Sequence, residues 1–366
     1  MAPPQTLPIS QLGKDGPRVP RLGFGLMGLS IAYGPVPSEQ DRLALLDHAW
    51  SLGATFWDTA QMYGDSEELV GKWFRLHPER RSDIFLATKF AIRSTVSAAS
   101  PSSGPARISW TIDSSPEECR TACAESLQRL GTDYIDLYYV HRFDKTTPVE
   151  KTVEAMVELK EQGKIRHLGF SECSSSTLRR GYAVHPITAV QIEYHPWALE
   201  IESDAGTNLL ATCRELGVAV VSYSPLGRGA LTGRFKSLTD LDPTDLRTQL
   251  PRFHQDNFSQ NLRLVQVIEE IAASKTLPAS SSSQITSTQV TPAQLTLAWL
   301  LSQGPDIFPI PGTKSPHYLE QNLGALKVTI TPDEDARIRA VIKELGGAAG
   351  YRTIGLTDSY SDTPPL

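Results

Sequence analysis

One pattern restricts the fold of this chain more than any other. Short, almost unbroken apolar runs alternate with longer stretches that carry apolar residues at helical spacing, about eight times over. The runs are Leu22–Gly28, Phe56–Asp58, Ile84–Phe90, Ile135–His141, Ile165–Ser171, Ala189–Tyr194, Val218–Ser224 and Ile307–Pro311. A strand that reads as apolar on both faces is covered on both faces, which is the condition of a parallel sheet between helices. Eight such units in roughly 330 residues predict a (β/α)8 TIM barrel, whose chemistry lies at the C-terminal strand ends.

The punctuation between the runs agrees. Ser38 opens a helix that stops at Gly53, and Ser115-Pro116-Glu117-Glu118 and Thr147-Pro148-Val149-Glu150 read as capping boxes. Further helices are expected near 67–76, 175–183, 205–216, 258–274, 292–302, 315–326 and 332–345, the last two as extra C-terminal helices. Leu7–Ser10 and Val19–Leu22 flank a Gly-Lys-Asp-Gly turn and predict an N-terminal β-hairpin. Residues 91–114, rich in Ser, Pro and Gly, read as a long surface loop. A Ser-rich insertion near 279–290 reads as disordered, and 347–366 as a short C-terminal tail on a single domain spanning 1–366. Gly23, Gly25 and Gly28 echo a dinucleotide fingerprint, but the spacing is wrong and no helix follows directly.

Composition excludes several classes of function. A net charge of -6 and a pI of about 5.8 leave no basic footprint for nucleic acid. No stretch of eighteen apolar residues spans a membrane, and the N-terminus lacks the pattern of a signal peptide, so a cytoplasmic enzyme is expected. Four cysteines form neither a disulfide framework nor a metal set, so no metal is expected.

The polar residues at the strand ends carry the chemistry. Asp58 closes the second run, Tyr63 follows five residues later, Lys89 closes the third run and His141 the fourth. A tyrosine keeps its proton at neutral pH, and a nearby ammonium lowers its pKa. Lys89, fixed by Asp58, would thus make Tyr63 a general acid toward a carbonyl oxygen that His141 orients. This set carries no hydride, so a cofactor must supply one. On the other half of the barrel Ser171 and Gln191 could bond a carboxamide, and Tyr223 could stack on a nicotinamide ring. Ser224 and the Leu226-Gly227-Arg228-Gly229 stretch suit a pyrophosphate. Gly312, Thr313 and Lys314 precede a helix with Pro316 at its first position, and with Gln321 and Asn322 form a phosphate site. That site favours NADPH over NADH. Met27, Tyr33, Trp110 and Trp197 are candidates for a pocket that takes an aryl or planar carbonyl substrate.

These residues resemble the aldo-keto reductase family over nearly the whole chain, and within it the fungal YakC-type branch. The carrying stretches are Ala87-Thr88-Lys89-Phe90, Asp136–Phe143, Pro225–Gly229, Ile310–Lys314 and Asp362–Pro365. The resemblance implies a catalytic tetrad of Asp58, Tyr63, Lys89 and His141, with NADPH as hydride donor. Two departures stand out: Glu172 where many members have an Asn that holds the carboxamide, and Tyr318 where many have an Arg at the adenosine phosphate. The second leaves Lys314 to read that phosphate. Two other roles fit such a barrel. One is a cofactor-binding regulatory subunit, and the other a lyase that uses Lys89 as a neutral Schiff-base amine.

Overall fold

The computed structural model describes residues 5–97, 107–241, 245–278, 287–352 and 359–366. Eight parallel strands run through it: β1 (Phe24–Gly25), β2 (Phe56–Asp58), β3 (Phe85–Phe90), β4 (Ile135–Val140), β5 (Ile165–Ser171), β6 (Ala189–Glu193), β7 (Ala219–Tyr223) and β8 (Ile307–Pro309). They pair in chain order. The Gly23 and Gly25 N–H groups donate to the carbonyls of Pro309 and Pro311, at 2.9 and 3.2 Å, so β1 also meets β8 and the sheet closes into the expected barrel.

Two cores follow from the two faces of the strands. Phe56, Ala87, Leu137, Tyr139, Val221 and Phe308 fill the interior. Trp57, Tyr138, Val140 and Phe170 point outward against the helices, with Trp73, Met156 and Trp299. The hairpin Ile9–Gln11/Arg18–Pro20 forms as expected and adds Leu12 and Val19 to the interior cluster. The Lys14 N–H donates to Gly217 O, which seats the hairpin under the start of β7.

Register sets the site. Gly25 pairs with Asp58, Asp58 with Ala87, Lys89 with Tyr139, and Gln191 with Ser171. Phe56 and Ala87 face the interior, so Asp58 and Lys89, two residues on, face it too. The same period carries Tyr139 to His141 at the next strand exit.

Several elements differ from the expectations above. Only Phe24–Gly25 of the first run is strand, and Met27–Ser30 is a helical turn begun by the Leu29 N–H bonding Leu26 O. The 91–114 loop is in fact a hairpin, Ile92–Ser97 against Arg107–Ile112. Ile92, Val96, Ile108 and Ile112 give it strand character that its Ser and Gly content obscured. Its tip, 98–106, lies outside the described residues. In the Ser-rich stretch Ser287–Gln289 pairs with Thr276–Pro278, so part of it is strand, and residues 279–286 lie outside the described ones. At Ser115 only half of the capping box forms: the hydroxyl accepts from the Glu118 N–H, while the Glu118 carboxylate takes Arg93. Helix Val149–Glu161 has no side-chain cap, because its N-cap position falls on Pro148 and the Thr147 hydroxyl donates to Asp144 Oδ2 at 3.0 Å. Helices Gln255–Ala273, Pro316–Gly324 and Pro332–Glu344 complete the C-terminal part.

Barrel closure leaves no room between Gly25 and the chain opposite. A Cβ on Gly25 would lie 2.8 Å from Ile310 O, and one on Gly312 2.7 Å from Gly25 O. The contacts are backbone, so neither side yields cheaply. Gly25→Ala is expected to lower unfolding stability by about 1–3 kcal/mol. Urea denaturation measures this, and an unchanged midpoint would mean that the barrel is not closed tightly here.

Candidate functional site

The Lys89 side chain is fully buried and Asp58 nearly so. Lys89 Nζ donates to Asp58 Oδ1 at 2.5 Å, to Thr59 O at 2.7 Å and to Tyr63 Oη at 3.4 Å. Asp58 Oδ2 accepts from Gln191 Nε2 at 2.7 Å, a bond that crosses the barrel from β6 to β2. Tyr63 sits above the pair because the chain turns tightly after β2, with its N–H bonding Ala60 O. The Tyr63 and His141 rings meet edge to face, 5.8 Å between centroids. The four residues of the expected tetrad therefore stand together.

Burial dominates their protonation. It raises Tyr63 above the usual phenol value, and Lys89 pulls it back only in part. The expectation that Lys89 brings Tyr63 below its ordinary value is therefore corrected, since desolvation of a phenolate outweighs one ammonium at 3.4 Å. Burial likewise holds Asp58 above the carboxylate range against the pull of Lys89 and Gln191. Burial presses on the Lys89 ammonium, but Asp58 and Tyr63 outweigh it and keep Lys89 above its ordinary value. His141 lies well below its ordinary value because of burial and then Arg142 and Lys89, so its imidazole is neutral at pH 7.

These side chains open on a cleft of 1010 Å³ at the C-terminal ends of the strands. Asp58, Tyr63 and His141 line it, with Lys89 behind them. So do Ser171, Gln191, Tyr223, Ser224, Leu226, Arg228, Gly312, Thr313, Lys314, Gln321 and Asn322 from the expected cofactor set. Gly227 lies behind the wall, against Leu231 and Trp197. The Gly227 and Gly229 N–H groups are spent on Ser224 O and Leu226 O, so this loop offers an anion mainly the Arg228 guanidinium. Lys314 Nζ donates to Tyr33 O at 2.5 Å, Gly34 O at 3.3 Å and Pro35 O at 2.8 Å, and so tethers the loop after β1.

Met27 and Tyr33 line the cleft as expected, but the two tryptophans do not. Trp197 is a core residue at 4% exposure, and Trp110 stands on the hairpin at 43% exposure, outside the cleft lining. Met62 and Ile92 take their place in the lining. Sequence reasoning also missed Arg142, which donates to His141 O at 2.6 Å and Ser171 Oγ at 3.2 Å, although it directly follows His141. It missed Arg247 as well, paired with Asp245 and stacked 5.1 Å from the Tyr33 ring, because nothing in that connection follows a period. Among the described residues no group of His, Cys, Asp or Glu could hold a metal ion, and no helix is long and apolar enough to cross a membrane.

Residues 21–343 match the model of the aldo/keto reductase family. The chain is 46% identical to aldo-keto reductase str7 of Strobilurus tenacellus, over 98% of this chain and 99% of that protein. It is 44% identical to aldo-keto reductase yakc [NADP(+)] of Schizosaccharomyces pombe, over 99% of each. Among solved structures, the glycerol dehydrogenase of Gluconobacter oxydans superposes with a TM-score of 0.77, covering 94% of this chain and 98% of that one, at 23% identity.

The buried ion pair makes a stability prediction. Lys89→Met leaves the Asp58 carboxylate without its cation, which costs about 3–5 kcal/mol when a buried pair is broken. Adding Asp58→Asn removes the stranded charge and should restore more than half of the loss. Chemical denaturation of both variants checks this, and a double variant no more stable than the single would contradict it.

Proposed function

The chain belongs to the aldo/keto reductase family, and on that premise we propose that it reduces an aldehyde or ketone to the alcohol with NADPH as its cofactor. The observation that carries the reading is the buried Asp58–Lys89 pair beneath the Tyr63 hydroxyl at the cleft.

The cleft suits a dinucleotide phosphate. Its lining holds Arg142, Arg228, Arg234, Arg247 and Lys314 against Asp58, Asp240 and Asp245, a positive excess in a chain whose net charge is -6. Ser171, at the end of β5, and Gln191, in β6, would hold the carboxamide, and the Tyr223 ring at the exit of β7 would stack on the nicotinamide. Arg228 would face the pyrophosphate, and Gln321 and Asn322 the adenosine phosphate, with Lys314 joining them by giving up a 33–35 carbonyl. NADPH, when bound, supplies the hydride.

The protein supplies the proton and the geometry. Tyr63, held protonated, donates through Oη to the carbonyl oxygen as negative charge develops there. The Lys89 ammonium stabilises the phenolate left behind, and Asp58 holds that ammonium in place. Neutral His141 directs a ring N–H at the same oxygen, which orients the substrate without competing as an acid. Met27, Met62 and Ile92 give the substrate end an apolar lining, which favours aryl or planar carbonyl compounds, while Tyr33, bonded to Arg228 and Lys314, lies toward the phosphates. A Schiff-base role for Lys89 requires a neutral amine, and an ammonium with three acceptors is the opposite.

Tyr63→Phe should keep NADPH binding and lose reduction by roughly 100- to 10,000-fold, the worth of one general acid. Stopped-flow oxidation of bound NADPH by an aldehyde reads it, and an unchanged rate would remove Tyr63 from the mechanism. If the wild-type protein binds NADPH but no aldehyde or ketone oxidises it, the chain is a regulatory subunit instead.

Lys314→Ala tests cofactor choice. Loss of a charge-assisted bond of about 1.5–3 kcal/mol weakens NADPH roughly 10- to 150-fold. NADH, without the 2′-phosphate, should lose far less. Fluorescence titration of both cofactors decides, and equal losses would reduce Lys314 to a tether of the 33–35 loop.

A further inference from the structure

Glu172 is fully buried at the exit of β5, on a left-handed backbone with φ of +55°. A carboxylate there is costly unless it is paired and fully bonded. Its charged partner comes from the far end of the chain. Arg352 Nη2 donates to Glu172 Oε2 at 2.7 Å and Nη1 to Oε1 at 3.1 Å, a two-pronged pair. Tyr223 Oη donates to the same Oε1 at 2.8 Å. Arg352 is itself 8% exposed and reaches Glu193 Oε2 at 3.5 Å.

Residues 361–364 fasten near the same strand exit. The Ser361 N–H donates to Glu172 O at 2.8 Å, and the Ser174 N–H to Ser361 O at 3.0 Å. Arg180 then grips the carbonyls of Thr363 and Pro364, at 2.8 and 2.7 Å. Arg352 and the Ser361–Pro364 stretch thus pack behind the wall of the cleft, and of their neighbours Tyr223, like Ser171, lines it. A guanidinium fork fixes a carboxylate in direction as well as charge, and the Tyr223 ring is fixed from its hydroxyl by the bond to that carboxylate.

We infer that Arg352 is a positioning residue for the cofactor, holding Glu172 so that Glu172 fixes the ring of Tyr223 at the nicotinamide end of the cleft. Arg352 then acts on the cofactor site from behind the wall of the cleft. The inference rests on the proposed placement of NADPH against Tyr223.

The test is NADPH affinity by quenching of protein fluorescence, with KM for an aldehyde measured in parallel. Arg352→Met should weaken NADPH about 5- to 30-fold, the range that 1–2 kcal/mol spans, and leave KM for the aldehyde within twofold at saturating NADPH. Arg352→Lys should recover part of the affinity. Arg352→Met with Glu172→Gln should recover most of it, because the neutral amide still accepts from the Tyr223 hydroxyl without stranding a charge. Tyr223→Phe keeps the ring and the Arg352–Glu172 pair but cuts the link, so it should show a similar loss even if Arg352→Met does not fold. Unchanged NADPH affinity in Tyr223→Phe, or a double variant weaker than Arg352→Met, overturns the inference. Tyr223→Ala separates the two readings: if it leaves NADPH affinity intact, the placement of the cofactor is wrong, and if it alone weakens binding, only the role of Arg352 falls.

Discussion

The ion pair between Asp58 and Lys89 is the contact on which the rest of the site depends. Neither side chain has appreciable access to water, and each would be untenable alone. The pair exists because β2 and β3 are in a register that aims both residues into the barrel, one layer above Phe56 and Ala87. The ammonium has three acceptors, Asp58, Thr59 O and Tyr63 Oη, and Gln191 occupies the second carboxylate oxygen. A buried pair held from several sides is rigid, and rigidity is what a proton donor needs to meet a carbonyl oxygen at one distance. The Gln191 bond also couples the two halves of the cleft, so that the sides proposed for the cofactor and for the proton donor share one carboxylate.

A second theme is the use of basic side chains in an acidic chain. Arg142 braces His141 and Ser171, Arg228 faces the cleft beside Glu193, and Arg352 clamps Glu172. Burial alone would push these carboxylates upward, yet the guanidiniums, Arg352 foremost at Glu172 and Arg228 at Glu193, hold both below the ordinary range. A depressed pKa stabilises the fold above the unfolded value and loses that stabilisation as pH falls through the folded value. The network is thus intact at neutral pH and weakens only in acid.

Much of this is legible in the sequence, for reasons that can be named. Apolar runs such as Ile135–Val140 mark strands buried on both faces, and their ends mark the site, so the runs alone align Asp58, Lys89 and His141. Tyr63 lies in the turn just after such an end. What resists reading lies in the connections. Trp110 and Trp197 qualify as pocket residues by type alone, and their positions, a hairpin and the core, depend on pairing that no period announces. Arg352 is 180 residues from Glu172, and only the fold brings the two together. The direction of the Tyr63 pKa shift is equally hidden, because the depth of its burial has to be weighed against its distance from Lys89, and a sequence supplies neither.

The most direct test of the account is the pH profile of single-turnover carbonyl reduction by the NADPH-loaded enzyme between pH 6 and 9. With Tyr63 raised above its ordinary value and His141 held neutral, the donor is protonated and its neighbour uncharged across that whole range. The rate should therefore be flat. A rate that falls as pH rises through the ordinary histidine range near 6.5 would make protonated His141 the acid and contradict the role given to Tyr63 and its buried ion pair.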